Sequence, residues 1–436
     1  MFYLKQFLLL LIISITLFFP SGNILQLFLF LFFTYLYIRL LGLLLGDPPV
    51  LLFIALVSFN IRPFLDEYFE TASFGITNGF FKSGVFEDPI LETSTLYIKL
   101  SIFVFLIGLL GRKYEPKTIS FCKVREGYSI YKNVLLLPTV VFCILLIFIC
   151  FFNGGYSYFN SGSLDVSTLR VFIPMLTVCL ALNVIFYQNK IITTILIMTG
   201  LGISIFVGAR LIGMSPLICY FIYLSVSNRR SFSKKLPIIG FFVISFSVFV
   251  NFFRAKNSIL GVIELNDVFL FFLQEISFTS NLVPMAMEYT SKYDYAYGIN
   301  YLGAIVSIIP KAAFWMRLEE GTYSFSSALG LYYDPVAVKN GLGLNGSLMG
   351  ESYFSFGFCG VIVSFLLSKL SKVMYVDVGK NNFWSFFVIS SSPYIMTSFI
   401  FESSIVFRNV FYYSLFPIAV YFLLKRKAID NKGAKC

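Results

Sequence analysis

Long apolar runs separated by short polar turns constrain this chain more than any other feature. Hydrophobic residues make up 58% of the 436 positions and charged residues only 13%, whereas soluble domains hold roughly 45–50% and about 25%. A helix needs about 17–25 residues to cross a bilayer, and many of the Phe- and Leu-rich runs have that length. The sequence therefore predicts an all-α polytopic membrane protein.

The positions of the basic residues orient the predicted spans. Lys and Arg cluster at 112–132, 229–235 and 425–427, and such clusters mark the cytoplasmic side. The acid-rich loop 62–95 falls on the opposite side. This alternation predicts about twelve transmembrane helices with both termini cytoplasmic. The run 50–60 is short for a crossing, and it counts as the third span because the alternation requires one there.

One long segment is neither a span nor a short connection, and it divides the chain into three predicted parts. Residues 1–253 form an N-terminal bundle of spans 1–9, and residues 354–436 form spans 10–12 with a basic tail. Residues 254–353 form one large external loop. Its apolar stretches 268–278 and 301–309 are too short to cross and predict amphipathic helices at the membrane interface. We expect the chemistry in this loop.

Several classes of function are excluded by composition. The chain has no histidine, which removes the commonest general base and every Ser-His or Cys-His mechanism. Its seven cysteines are scattered without metal-ligand or disulfide spacing. We therefore predict no metal site and no cofactor. The net charge of +11 follows from the cytoplasmic loops, so no nucleic-acid partner is expected.

Three arginines lie where the topology places the external surface, the side on which basic residues are rare. They are Arg210, Arg254 and Arg408. A guanidinium at headgroup depth can bind a phosphate or diphosphate through two parallel hydrogen bonds. The alternative is that these side chains reach lipid phosphates or pair with Glu264 or Glu402.

A glycine-rich segment leads into a predicted helix near the end of the loop. Gly346, Ser347 and Gly350 precede Glu351, and backbone N–H groups at such a helix start can bind an anion. The alternative is that small residues are needed for close packing. Glu351 is a candidate general base, or a carboxylate favoured by the helix dipole. Other external carboxylates remain candidates for the base: Glu275, Asp294, Asp334 and Glu402.

The same segment resembles a known family signature. The residues Gly346-Ser-Leu-Met-Gly350-Glu351-Ser-Tyr353-x-x-Phe356-Gly357-x-x-Gly360 are similar to the Gly-Ser…Gly-Glu-x-Tyr…Phe-Gly-x-x-Gly pattern of bacterial O-antigen polymerases of the Wzy type. The similarity covers mainly the chain from about residue 207 onward. Upstream and downstream of the motif it includes Gly208-Ala-Arg210, Arg254, Ile309-Pro310 and the turn 402–408.

The resemblance implies a metal-independent glycosyltransferase of the bacterial inner membrane, similar to the GT-C architecture. It would join undecaprenyl-diphosphate-linked oligosaccharide repeat units at the periplasmic face, with membrane lipid and a polysaccharide chain-length regulator as further partners. Arg254 and Glu351 would be catalytic, and Tyr323 and Tyr353 would contact sugars. The diphosphate would be held by Arg210, Arg254 and Arg408 together with Gly346, Ser347 and Gly350.

Two other functions remain open at this point. O-antigen ligases have a similar large external loop, but that family uses a loop histidine and this chain has none. A lipid-linked oligosaccharide flippase would also have about twelve spans. It would carry its charges inside a central cavity rather than in a large external loop. Both alternatives are weaker than polymerisation.

Overall fold

The computed structural model of the chain describes residues 2–19, 24–61, 88–111, 166–207, 210–240, 278–309, 324–336, 346–377, 382–399 and 402–415, with a few isolated positions between them. Every regular element among these residues is helical, as the sequence predicts. In chain order the helices are α1 (Phe2–Phe18), α2 (Ile24–Leu40), α3 (Pro48–Phe59), α4 (Asp88–Gly108), α5 (Val166–Leu182), α6 (Lys190–Val207), α7 (Arg210–Ser227), α8 (Leu282–Lys292), α9 (Ile299–Val306), α10 (Phe325–Tyr333), α11 (Leu348–Phe356), α12 (Val361–Asp377), α13 (Asn382–Met396) and α14 (Ser403–Val410).

The chain divides into two compact units, and the first contains Glu351 and Arg408 of the predicted site. It consists of Met1–Pro116, Leu265–Val373 and Met396–Arg408. Within it α1 packs against α2 and α4, while α8 packs against α4, α10 and α11. The predicted borders after residues 253 and 353 are not tested by this division and stay predictions.

Polar side chains tie the apolar helices of this unit together through backbone carbonyls. The Gln6 amide donates to the carbonyl of Gly111 at 2.8 Å, and the Tyr37 hydroxyl donates to that of Leu106 at 3.1 Å. The Lys372 ammonium donates to the carbonyl of Leu109 at 2.9 Å. Such bonds add a directional term to helix packing in lipid, where apolar surface alone gives little preference for one partner.

By length and composition, two helices among the described residues qualify as membrane spans, Asp88–Gly108 and Leu348–Tyr375. Shorter apolar helices accompany them, α3 among these. The twelve residues of α3 extend about 18 Å, well under the roughly 30 Å of hydrocarbon. The full count of twelve spans therefore stays a prediction.

Helix α4 begins earlier than the sequence indicates. The span was expected to begin at Leu96, and the helix begins at Asp88, inside the acid-rich loop. Asp88 and Pro89 suit a first helical turn, because a carboxylate favours the N-terminal dipole and proline has no N–H to lose. The length of an apolar run indicates which part of a helix crosses the membrane. It does not indicate polar turns that extend the helix beyond that run.

A short 3₁₀ turn, Gly357–Gly360, separates α11 from α12, although a single span from Phe354 was expected. Gly357 has a φ of +56°, a conformation that glycine adopts without steric cost. A Cβ on Gly360 would lie 2.3 Å from the carbonyl oxygen of Ser352. The two glycines of the Phe-Gly-x-x-Gly motif therefore turn the chain between the helices.

The second unit consists of Lys117–Glu264, Met374–Ile395 and Asn409–Cys436. In it α5, α6 and α7 pack against one another. The connection from α5 to α6 is held by the Asn183 amide, which donates to the Thr193 hydroxyl at 2.8 Å. Gln188 ends the intervening π-helical turn with a φ of 53°. Arg210 is the first residue of α7.

Candidate functional site

Glu351 lies in the first turn of α11 with only 1% of its surface exposed. The Asn300 amide donates to its Oε1 at 2.9 Å. The Ser403 hydroxyl donates to the same oxygen at 2.5 Å, and the Ser403 backbone N–H donates to Oε2 at 2.7 Å. Both carboxylate oxygens are thus bound, by donors from the beginnings of α9 and α14. This arrangement fixes the orientation of the carboxylate.

Asn300 is itself held by α11. The Ser355 hydroxyl donates to Asn300 Oδ1 at 2.5 Å, which leaves the amide N–H₂ facing Glu351. One residue later, the Tyr301 and Ser352 hydroxyls lie 2.9 Å apart. Helix α9 therefore lies along α11 through a polar contact at its start, even though its sequence is mostly apolar.

A second buried carboxylate, Glu402, immediately precedes Ser403 in the chain. Ser326 donates to Glu402 Oε2 through its N–H at 3.0 Å and its hydroxyl at 2.8 Å. The Ser324 hydroxyl lies 3.1 Å from the same oxygen, and the Ser404 hydroxyl donates to Oε1 at 2.5 Å. The three-residue segment 402–404 therefore joins the Glu351 cluster to the start of α10.

Neutral groups make all the hydrogen bonds to these two carboxylates among the described residues. Hydrogen bonds to a charged group are stronger than those between neutral groups. Several of them can hold a buried carboxylate without an ion pair. Hydrogen bonds from neutral donors favour the ionised form of a carboxylate, whereas burial favours the protonated form. The two effects oppose each other at Glu351, and the contacts fix the orientation of its carboxylate.

The glycines before Glu351 lie in close contact with protein atoms. A Cβ on Gly346 would be 2.0 Å from the backbone nitrogen of Glu402, and one on Gly350 would be 2.8 Å from the Phe325 ring. Glycine is therefore required for packing at both positions, the alternative that the sequence left open. The anion-binding role predicted for these residues is not tested by these contacts.

Ser347 precedes the first residue of α11 and has an extended backbone. Its hydroxyl is buried and has no hydrogen-bond partner within the described part of the chain. A buried polar atom without a partner is uncommon and needs an explanation. It lies at the positive end of a helix dipole, where an anion is favoured.

The three arginines are placed differently. Arg408 is exposed and lies in the last turn of α14, the helix whose first residue binds Glu351. Arg210 begins α7 in the second unit. Arg254 and Tyr323 lie outside the described residues. The structure therefore brings Arg408 and Glu351 into one unit.

Tyr353, which was predicted to contact sugar, is buried with 7% of its surface exposed. Its ring packs edge-to-face against Tyr97 at a centroid distance of 5.1 Å and against Phe358 at 5.9 Å. Tyr295 also packs against it at 6.2 Å. Tyr353 thus forms part of an aromatic core behind the loop surface.

Sequence reasoning did not identify Asn300 and Ser403, the two residues that bind Glu351, or Ser324 and Ser326, which bind Glu402. One signal was available for Asn300, because it is a polar residue inside an otherwise apolar helical run. The serines carried no comparable signal, since serine is common in loops.

The whole chain was compared with known proteins. The family model of O-antigen polysaccharide polymerase Wzy matches residues 1–432. No curated protein matches the chain, and no solved structure matches it. The chain therefore belongs to the O-antigen polysaccharide polymerase Wzy family, inner-membrane proteins that polymerise lipid-linked oligosaccharide repeat units.

Proposed function

We propose that this polymerase joins repeat units carried on undecaprenyl diphosphate, and that it does so at the periplasmic face without a metal ion. In the proposed reaction a hydroxyl of the acceptor unit attacks the anomeric carbon of the growing chain. The bond between that carbon and the diphosphate oxygen breaks, and undecaprenyl diphosphate leaves. Glu351 takes the proton of the acceptor hydroxyl, and arginine side chains stabilise the leaving diphosphate.

The observation that carries this proposal is the connection between Glu351 and Arg408 through α14. Ser403, the first residue of the helix, donates two hydrogen bonds to Glu351. Arg408 follows five residues later, a rise of about 7.5 Å along the axis, and is exposed. A single short helix thus connects the carboxylate that Ser403 binds to the exposed side chain of Arg408. A glycosyl diphosphate reaction needs both groups, the first for the acceptor and the second for the leaving group.

The diphosphate site of the proposal includes Arg210, Arg254 and Arg408. Guanidinium groups can neutralise a diphosphate by paired hydrogen bonds, so the proposed reaction does not require a divalent cation. The Ser347 hydroxyl at the start of α11 has no hydrogen-bond partner among the described residues. We propose that it and the helix dipole favour a phosphate oxygen there. Gly346 and Gly350 are part of the same proposed site.

The proposal extends to the placement of the chain in the membrane. We propose about twelve spans in a GT-C-like arrangement, with the loop 254–353 in the periplasm and both termini in the cytoplasm. Helix α9 overlaps the predicted interfacial stretch 301–309 and supports this placement, while the other predicted stretch, 268–278, lies almost wholly outside the described residues. A chain-length regulator is a further proposed partner on the periplasmic side.

Lipopolysaccharide banding tests the proposed function. In a strain that lacks the gene, we expect core lipid carrying a single repeat unit, and the wild-type gene should restore the ladder of longer chains. Bare core without the single unit would contradict the proposal, because it would place the defect at transport or ligation instead.

The arginine role is tested in the same strain with Arg254→Ala at matched expression. We expect the loss of one guanidinium that holds the diphosphate to lower chain extension by roughly 100-fold or more, which abolishes the visible ladder. Arg39→Ala is the control, because Arg39 is an exposed arginine at the end of α2, on the proposed cytoplasmic side. A full ladder with Arg254→Ala would remove this residue from the site.

A further inference from the structure

An exposed group of tyrosines lies beside the α11 helix that carries Glu351. Tyr293, Tyr295 and Tyr297 lie in the short segment between α8 and α9 and are 53%, 37% and 72% exposed. Apolar ring faces are costly to leave in water. Three exposed tyrosines within five residues, outside the candidate spans, indicate a surface that binds a ligand or a partner.

This segment is held firmly against the end of α11. The Ala296 N–H donates to the carbonyl of Phe354 at 3.0 Å. Gly298 has a φ of +83°, and a Cβ there would lie 3.0 Å from the Phe356 ring. The Tyr295 ring in turn lies against Gly357, 3.1 Å from the position of a Cβ at that glycine. One backbone hydrogen bond and two close glycine contacts therefore hold this segment against the end of α11 before any ligand binds.

Two further tyrosines extend the surface toward α10. Tyr293 lies 4.8 Å from Tyr289 and 5.9 Å from Tyr332, measured between ring centroids. The second pair meets edge-to-face, a favoured geometry that holds each ring in place. We call Tyr293, Tyr295 and Tyr297 the tyrosine surface, and Tyr289 and Tyr332 its support.

Charged groups of both signs border the tyrosine surface. Lys292 pairs with Glu288 at 3.1 Å, and the Tyr333 hydroxyl donates to the same carboxylate at 2.7 Å. Partial burial opposes ionisation of Glu288, but the hydrogen bonds from Tyr333 and Lys292 outweigh it and hold the pKa of Glu288 below its ordinary value. Together with exposed Asp294, this border presents both donors and acceptors at neutral pH.

The charge of the border selects the class of ligand. Glu288 and Asp294 outnumber Lys292, so the segment carries a net negative charge. Phospholipid surfaces are anionic and attract basic segments, which makes them a poor match. Sugar rings have an apolar C–H face that packs on an aromatic ring and hydroxyls that exchange hydrogen bonds with neighbouring charged groups. A saccharide therefore satisfies both features of this surface.

We propose that the tyrosine surface binds sugar rings of the lipid-linked repeat unit at the end of α11, the helix that carries Glu351. This inference rests on the proposed function, since it assigns part of the substrate to a named surface. In this proposal the buried Tyr353 does not contact sugar; its ring packs against Tyr295 and supports it.

The test measures sugar binding separately from polymerisation. The probe is the single repeat unit, released by mild acid from the lipid-linked units of the strain that lacks the gene, because mild acid cleaves the bond between the sugar and the diphosphate. Its binding to purified protein in lipid nanodiscs is followed by saturation-transfer NMR. We expect Tyr297→Leu and Tyr295→Leu each to weaken binding roughly fivefold or more, because Leu lacks the planar face, and Tyr297→Phe to stay within about twofold of the wild type.

Tyr35→Leu is the matched control, because Tyr35 is an exposed tyrosine on α2 and far along the chain from this loop. Unchanged oligosaccharide binding by the Leu variants would overturn the inference. The inference would also be overturned if the Leu variants accumulated less in the membrane while each purified molecule bound the oligosaccharide as well as the wild type does. That result would identify the tyrosines as a lipid-facing belt. The ladder in the complemented deletion strain reports on the proposed function independently, so failure of either idea is recognised separately.

Discussion

At the scale of single residues, the central question is what a fully bonded carboxylate does. Glu351 accepts hydrogen bonds from Asn300 and Ser403 on both oxygens, and Ser355 orients Asn300. Hydrogen bonds to the ionised form lower the basicity of a carboxylate, as a neighbouring arginine also does, while burial raises it. The network therefore suits a base that must keep one orientation while substrates exchange.

Glu351→Gln removes the basicity of this side chain and nearly preserves its shape. We expect chain extension by purified protein on extracted lipid-linked repeat units to fall by about 100-fold or more, within the usual range for loss of a general base. The lengths of the polysaccharide products are compared on gels after one fixed reaction time. The protein should still accumulate in the membrane, because Gln can keep several of the hydrogen bonds.

The control for this change is Glu92→Gln, since Glu92 is an exposed carboxylate on α4 and outside the cluster. It should extend chains at the wild-type rate. A Glu351→Gln protein that extends chains as fast as the wild type would show that Glu351 only joins α9, α11 and α14 together.

At the scale of elements, the motif glycines decide how α11 and α12 are connected. Gly360 lies so close to the backbone of Ser352 and to the Tyr97 hydroxyl that no side chain fits. Gly346 lies in close contact with Glu402, and Gly350 lies in close contact with Phe325. The signature that identifies the family thus contains residues needed to bring α11 close to its neighbours, in addition to Glu351.

Gly360→Ala is expected to destabilise the protein by about 1–3 kcal/mol, the usual cost of adding an atom to a packed site. The backbone atoms of Ser352 cannot move aside without disturbing α11. The thermal midpoint of detergent-purified protein measures the effect. Gly202→Ala in α6 is the matched control, because nothing lies within 4 Å of a Cβ at that position. Equal midpoints for the two variants would contradict the packing argument.

At the scale of the whole molecule, the orientation of the chain in the membrane is predicted from the distribution of its basic residues rather than from helix packing. Basic clusters at 112–132, 229–235 and 425–427 assign one side to the cytoplasm. On this basis we propose that the loop that contains α8, α9 and α10 faces the periplasm, on the same side as the lipid-linked substrate.

Cysteine labelling checks this orientation. In a variant without its native cysteines, a single cysteine at the exposed position Ser291 should react with a membrane-impermeant maleimide in intact spheroplasts. One at exposed Ser231 should react only after lysis, because it lies in a basic segment on the proposed cytoplasmic side. Labelling of Ser231→Cys from outside would reverse the topology.

The sequence alone was sufficient to identify a helical membrane protein of this family and to single out Glu351. These features follow from local properties, namely the length of apolar runs and the order of residues in one motif, and the family match over residues 1–432 confirms the assignment. The start of α4 was misplaced, since polar turns continue a helix without any change in apolar length.

Only the tertiary structure decided which residues surround Glu351. Asn300 and Ser403 lie 51 and 52 residues away along the chain, and no periodicity or charge pattern links positions so distant. Their meeting depends on how α9 and α14 pack against α11. The same is true of Gly346, whose need to be glycine becomes visible only once Glu402 lies against it. Local chemistry thus determined the class of molecule, and long-range packing determined the site.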